Sequence, residues 1–190
     1  MNEGSKPRRF PTDHDILDVV DADNQVIAQA SRREIHEQGL MHRSVHIFVI
    51  NDDGHLYIQR RGADKETFPN ALDSAAAGHL DSGEGYHEAA ARELEEELGL
   101  TSEQVNMFQV GELVATEDNG WEHVRFYLAH TRHEPVPNPD EVAGGAFYTL
   151  DQVEDLIADP ANDFAPTFRM LYFFYSTELA PRVAAGDLFK

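Results

Sequence analysis

Between Gly78 and Leu100 the chain reads GHLDSGEGYHEAAARELEEELGL, and no other stretch restricts its folding so tightly. A glycine-rich loop, DSGEG, opens into YHEAAARELEEEL, a run made almost wholly of strong helix formers. Gly99 stands where a helix of that length is readily ended by a left-handed residue. On such a helix Leu94 and Leu98 lie four residues apart, with Ala90 and Ala91 one turn earlier, so one narrow stripe is apolar and needs cover from another element. Glu93, Glu96 and Glu97 fall at i, i+3 and i+4 and share a different face. Three carboxylates so placed repel one another unless positive charge sits among them. Hard divalent cations bound by oxygen suit that need, Mg2+ above all, because it also bridges phosphate oxygens. Without further information, a glutamate-rich helix face is more often plain solvated surface.

Around this segment the hydrophobic pattern predicts strands mixed with helices. ILDVV and VIAQA read as two short strands turned by DADNQ, and SRREIHEQG as a short helix capped by Ser31 and ended at Gly39. A strand from Ser44 to Ile50 and a second, HLYIQRR, flank the hairpin signal NDDG. DSAAAG, rich in small residues, leads into the glycine-rich loop. MFQVGELVAT and HVRFYLAH alternate well enough for two more strands, RHEPVPNPDE is a loop, and GGAFYTL a final strand. Helices are expected over DQVEDLIAD and over PTFRMLYFFYSTEL, whose aromatics suggest a buried face. With neither a repeat nor a linker, residues 14–190 read as a single domain, residues 14–40 being a hairpin and helix packed on it and residues 1–13 a flexible tail.

Composition narrows the class of function. The chain has no cysteine, which excludes disulfides, a thiol nucleophile and zinc–thiolate sites. A net charge of −20 argues against a nucleic-acid surface, which needs clustered Lys and Arg. No apolar run approaches the ~18 residues of a membrane span, and the start, MNEGSKPRRFPTDHD, lacks a signal peptide's apolar core. A cytoplasmic protein acting on a small molecule is therefore expected. Only Lys6, Lys65 and Lys190 are lysines. The acidity reads either as adaptation to high salt or as an ordinary acidic surface; full stability at low ionic strength excludes the first.

The spacing within Gly78–Leu100 carries more than its helix. It resembles the box of the Nudix hydrolases, G-x5-E-x7-R-E-U-x-E-E-x-G-U with U bulky and aliphatic, at every specified position: Gly78, Glu84, Arg92, Glu93, Leu94, Glu96, Glu97, Gly99 and Leu100. The resemblance implies an α+β fold, an α/β/α sandwich in which a mixed sheet lies between helices and the box forms loop, helix and loop. It implies hydrolysis of a phosphoanhydride bond in a small-molecule diphosphate, with Mg2+ as cofactor and Mn2+ as a substitute. Glu93, Glu96 and Glu97 match the family's metal ligands, and the backbone carbonyl of Ala77 a further one. Glu93 or Glu97 would orient or deprotonate the attacking water, and Glu84 with Arg92 would tie loop to helix. Nudix enzymes often recruit one more glutamate from outside the box; Glu112, Glu117, Glu122 and Glu141 are the candidates, unranked by sequence.

Upstream, MHRSVHIFVIN and IQRRGADKETFPNALDSAAAGH resemble the Nudix subgroup that holds isopentenyl diphosphate isomerase and its hydrolase-like bacterial relatives. The likeness runs from His42 to Leu100 and more weakly to about Leu156. In the isomerase a catalytic cysteine precedes the box glycine; here that residue is Ala77, while the helix keeps the full hydrolase carboxylate set. Isomerase chemistry is thus disfavoured, and so is a catalytically silent ligand sensor, whose mark is loss of box carboxylates. His42 and His79 correspond to positions through which the isomerase binds a metal, although a histidine is more often a structural residue. Arg61 and Lys65 correspond to positions that hold a diphosphate, one offering a fork and the other a mobile point charge; the plainer alternative is a basic strand end and loop. Trp121, Phe126 and Tyr127 read as core more readily than as a nucleobase clamp. The substrate class is a nucleoside di- or triphosphate, or a nucleoside diphosphate linked to another group. The N-terminal hairpin serves either as a homodimer contact or as a cover for its own sheet.

Overall fold

In the computed structural model residues 15–189 are described, and the tail expected over residues 1–13 lies outside them. β1 (Ile16–Val20) and β2 (Val26–Ser31) form an antiparallel hairpin. α1 (Arg32–Gln38) begins at Ser31, whose hydroxyl accepts the Glu34 N–H while the Glu34 carboxylate accepts the Ser31 N–H, and it ends at Gly39 with φ 62.

Seven strands build the main sheet: β3 (His42–Ile50), β4 (Leu56–Arg61), β5 (Leu72–Asp73), β6 (Ala76–His79), β7 (Val105–Leu113), β8 (Glu122–Thr131) and β9 (Val142–Tyr148). Their order is β5-β4-β3-β8-β7, with β6 also paired to β3 and β9 to β4. β3 and β8 run parallel and the other pairs antiparallel, so the sheet is mixed. Side chains of β3 alternate between its two faces. Val45, Ile47 and Val49 pack with Leu94 and Leu98 of α2 (Tyr86–Leu98). Phe48 and Ile50 meet the helices of the opposite layer, α3 (Leu150–Ala158) and α4 (Pro166–Phe174), together with the residues that follow them. Helices on both faces of a mixed sheet give the expected α/β/α sandwich. Leu94 and Leu98 are almost wholly buried, and each such burial stabilises by about 1.5–3 kcal/mol.

Three departures from the sequence pattern have physical causes. β6 is hidden in DSAAAG because small residues carry no alternation, and β5 because two residues are too few to show one; pairing from Ser44↔His79 to Ile47↔Ala76 makes β6 extended. β3 starts at His42 rather than Ser44, because β8 pairs along its whole length from His42↔Glu122 to Ile50↔His130. The last helix is interrupted by a π turn, Tyr175–Leu179, before α5 (Ala180–Ala184). Pro181 lies in that second piece and has no N–H to give the carbonyl of Thr177, which favours a shifted pattern there.

Candidate active site

The first cluster forms between α2 and β6. Because β6 alternates, Gly78 faces the helix while Ala77 and His79 face away. A side chain at Gly78 would run into the Glu93 carboxylate, which lies directly above it. Glu93 and Glu97, one turn apart, are buried at 7% and 1% exposure, whereas Glu96 is largely in solvent at the rim. Arg92 donates through Nη1 to Glu93 at 2.6 Å and to Glu96 at 3.1 Å. Its Nε and Nη2 hold Glu84 at 2.9 and 2.8 Å, and Nη2 also donates to the His79 carbonyl at 3.0 Å. Arg92 thus joins loop, helix and strand, as its place in the box suggests.

Glu97 accepts from the Gln59 amide at 2.9 Å, from the Ala77 N–H at 3.3 Å and from the Lys65 ammonium at 3.3 Å. Burial pushes the Glu93 carboxyl well above its ordinary range, and the charge of Glu97 adds to this against the pull of Arg92. Burial raises Glu97 as well; Lys65 opposes this and Glu141 reinforces it. Two buried carboxylates and a third at the rim supply the hard oxygen chemistry that Mg2+ or Mn2+ takes, although among the described residues their oxygens do not converge within 4.8 Å of one another.

The four outside glutamates separate. Glu141 shares the Lys65 ammonium with Glu97, at 3.1 Å. Glu112 pairs with Arg125 across β7 and β8, and Glu117 is exposed in a short turn. Glu122 lies on the other face of the sheet. Arg61 is no exposed strand end: its side chain is 13% exposed, with Nη1 on Asp73 at 2.9 Å and Nε and Nη2 on the Thr67 carbonyl at 3.2 and 3.0 Å. Phe126 and Tyr127 are core residues, and Trp121 packs beside Gly39.

A second cluster occupies the opposite face of β3. His42 is paired in register with Glu122, and Ser44 with His79, so these side chains emerge together. α1 brings His36 over them. The ring centroids are 5.4 Å apart for His36 and His42, 5.2 Å for His36 and His79, and 4.7 Å for His42 and His79, and one ligand nitrogen from each lies within 4.8 Å of the others. His42 Nδ1 is 2.9 Å from the Leu40 carbonyl and must donate to it. That tautomer leaves a lone pair on Nε2, which is buried, 3.8 Å from a Glu122 oxygen, and without a hydrogen-bond partner among the described residues. His79 Nε2 lies 3.3 Å from the same oxygen. Burial first, then the neighbouring His79, holds His42 down at about 4, and His36 and His79 are lowered by burial as well. Burial would raise the Glu122 carboxyl, but His79 and His42 together pull it well below its usual range. Neutral imidazoles around an ionised carboxylate can ligate a metal. Trp121, whose carbonyl accepts the His42 N–H at 3.1 Å, is held at φ 64 next to this cluster. Sequence reasoning reached His42 and His79 through resemblance but not His36, and left Glu122 unranked among the outside glutamates, since no local pattern joins four residues from four elements.

Comparison with known proteins agrees with this architecture. A family model described as the NUDIX domain matches residues 40–169. An uncharacterised Nudix hydrolase of Nostoc sp. is 42% identical over 130 residues, covering 68% of this chain and 77% of that protein. Other curated relatives are matched over about half of their length. The isopentenyl-diphosphate Delta-isomerase 2 of Photorhabdus laumondii is 28% identical over 159 residues, 83% of this chain and 90% of the isomerase. The crystal structure of DR0079 from Deinococcus radiodurans superposes with a TM-score of 0.74 at 28% identity, covering 84% of this chain and 99% of that one.

Proposed function

The chain belongs to the Nudix family, and from that premise we propose that it is a Mg2+-dependent pyrophosphohydrolase of nucleoside di- or triphosphates, or of nucleoside diphosphates linked to a small group. The observation that carries this reading is the pair Glu93 and Glu97, buried one turn apart on α2, with Glu93 over Gly78 and Glu97 on the Ala77 N–H. Glu93, Glu96, Glu97 and the Ala77 carbonyl would hold the metal, with Mn2+ able to replace Mg2+. Glu141 is the glutamate recruited from outside the box, a role supported by the Lys65 ammonium it shares with Glu97. Bound Mg2+ supplies neutralisation of phosphate charge and a more acidic water. Glu97 or Glu93 would orient that water and take its proton. Lys65 moves from the carboxylates to phosphate oxygens, and Arg61 supports the diphosphate from the same side. The enzyme acts in the cytoplasm; among the described residues no helix is long and apolar enough to cross a membrane.

Isomerase chemistry is not proposed, despite the Photorhabdus relative, because Ala77 has no thiol. One observation favours a second cation site besides: the buried, unpartnered Nε2 of His42 beside His36, His79 and Glu122. Imidazole and carboxylate ligands suit Zn2+ or Mn2+, and titration calorimetry with Zn2+ on wild type and His42→Ala tests it. For the hydrolase reading, phosphate release is measured over nucleotides, nucleotide sugars, dinucleoside polyphosphates and isopentenyl diphosphate, with and without Mg2+, at low and high salt. Mg2+-dependent release from a nucleotide class is expected; silence from the folded protein across the panel overturns it.

A further inference from the structure

Phe68 stands in a conformation that its sequence opposes. Its φ is +48, in the left-handed region that bulky side chains avoid, and the following Pro69 independently disfavours helical backbone at the residue before it. Its ring is not buried in return: Phe68 is 51% exposed. The surrounding loop, which joins β4 to β5, enforces the arrangement on both sides. The Arg61 guanidinium grips the Thr67 carbonyl at 3.0 and 3.2 Å, Arg60 donates to the Asn70 carbonyl at 2.8 Å, and the Ala71 N–H donates to the carbonyl of Phe68 itself at 3.2 Å. Asn70, at φ 63, completes the turn. Strain that the surroundings over-determine is concentrated at ligand-binding positions.

The same loop carries Lys65, whose ammonium is 3.3 Å from Glu97. Phe68 is three positions after Lys65, so their Cα atoms are at most about 11 Å apart. One rigid loop therefore presents a cation to the carboxylate cluster and, a few residues on, an aromatic ring to solvent. A nucleoside diphosphate offers the matching pair, negative charge at one end and a flat base at the other. We infer that Phe68 is the platform on which the substrate's nucleobase stacks while its diphosphate lies at Lys65, a specificity role that rests on the hydrolase reading above. An open ring favours a base over an alkyl tail, since a stacked base keeps its polar edges in water whereas an alkyl chain gains only by being enclosed.

The test compares wild type with Phe68→Gly and Phe68→Trp on ADP, CDP and isopentenyl diphosphate. Glycine accepts positive φ freely, so Phe68→Gly melts no lower than wild type while its KM for ADP and CDP rises about tenfold or more and kcat stays within about twofold. Phe68→Trp keeps the nucleotide KM, and ADP, but not inorganic pyrophosphate, quenches the added tryptophan fluorescence relative to wild type. An unchanged nucleotide KM in Phe68→Gly overturns the inference, as does an equal rise for isopentenyl diphosphate. If no diphosphate is hydrolysed at all, the hydrolase reading fails separately; ADP quenching of Phe68→Trp then still supports the platform, and absence of quenching removes it.

Discussion

On one face of the sheet α2 lays Glu93 over Gly78 and Glu97 on the Ala77 N–H; on the other His36, His42 and His79 gather, the last two against Glu122. Burial works on both groups, with opposite sign. It drives the carboxyls up and the imidazoles down, in each case toward the uncharged form. The first face is left with an excess of acid that Lys65 and Arg92 only partly offset, and so with a demand for a hard cation. The second holds neutral lone pairs around one ionised carboxylate, the donor set of a softer ion. A single strand, β3, separates the two and packs against both layers.

The sharpest way to break this comparison is to disable one face and watch the other. Glu97→Gln should lower kcat by roughly a thousandfold or more with an unchanged melting temperature, while His42→Ala keeps hydrolysis within about twofold; comparable losses from both would merge the two clusters into one site. Next in size, Gly78→Ala pushes the Glu93 carboxylate aside and should cost on the order of a hundredfold in kcat/KM, read with circular dichroism to confirm folding. An alanine that leaves kcat/KM intact would show that Glu93 need not lie over β6.

The two faces should also divide the pH dependence of stability in the metal-free protein. As pH falls from about 6.5, unfolded His42 takes up a proton that the folded protein, with its value of about 4, refuses. One such group costs about 2 kcal/mol of stability by pH 5. As pH rises above the ordinary carboxylate range, the unfolded chain releases protons that buried Glu93 and Glu97 retain, so stability falls on that side too. Mg2+ binds the deprotonated carboxylates and should relieve only the alkaline limb. Urea midpoints at pH 5, 6.5 and 8, with chelator or with Mg2+, decide it; an acid limb relieved by Mg2+ would contradict the division. The smallest effect is Ser31→Ala, which removes the cap of α1 at a cost of about 1 kcal/mol. It should weaken Zn2+ binding at His36 while hydrolysis on the far face is unaffected, as calorimetry and phosphate release would show together.

How legible each face was in the sequence follows from how it is built. The three carboxylates rest on one helix, so spacing displays their shared face, while the metal role and the Ala77 carbonyl came only with the family resemblance. Both ends of α1 and the end of α2 were readable because Ser31, Gly39 and Gly99 act on backbone groups within a few residues of themselves. β6 was not, because its small residues take their conformation from the strand they pair with, nor was β5, which is two residues long and set by its pairing to β4. Arg61 looked like a free phosphate fork, yet the fold sets most of that fork on Asp73 and Thr67.

By itself the sequence determined the helix Tyr86–Leu98, the shared face of Glu93, Glu96 and Glu97, and the alternation of the longer strands, since these depend on periodicity and caps that act over a turn or two of chain. Only the tertiary structure decided that Glu141 rather than Glu122 stands by Glu97, that His36 joins His42 and His79, and that Phe68 is held open to solvent. The first two choices depend on contacts between residues dozens of positions apart, made by strand register, and the third on how the β4–β5 loop closes on Arg60 and Arg61; neither leaves a local mark on the chain.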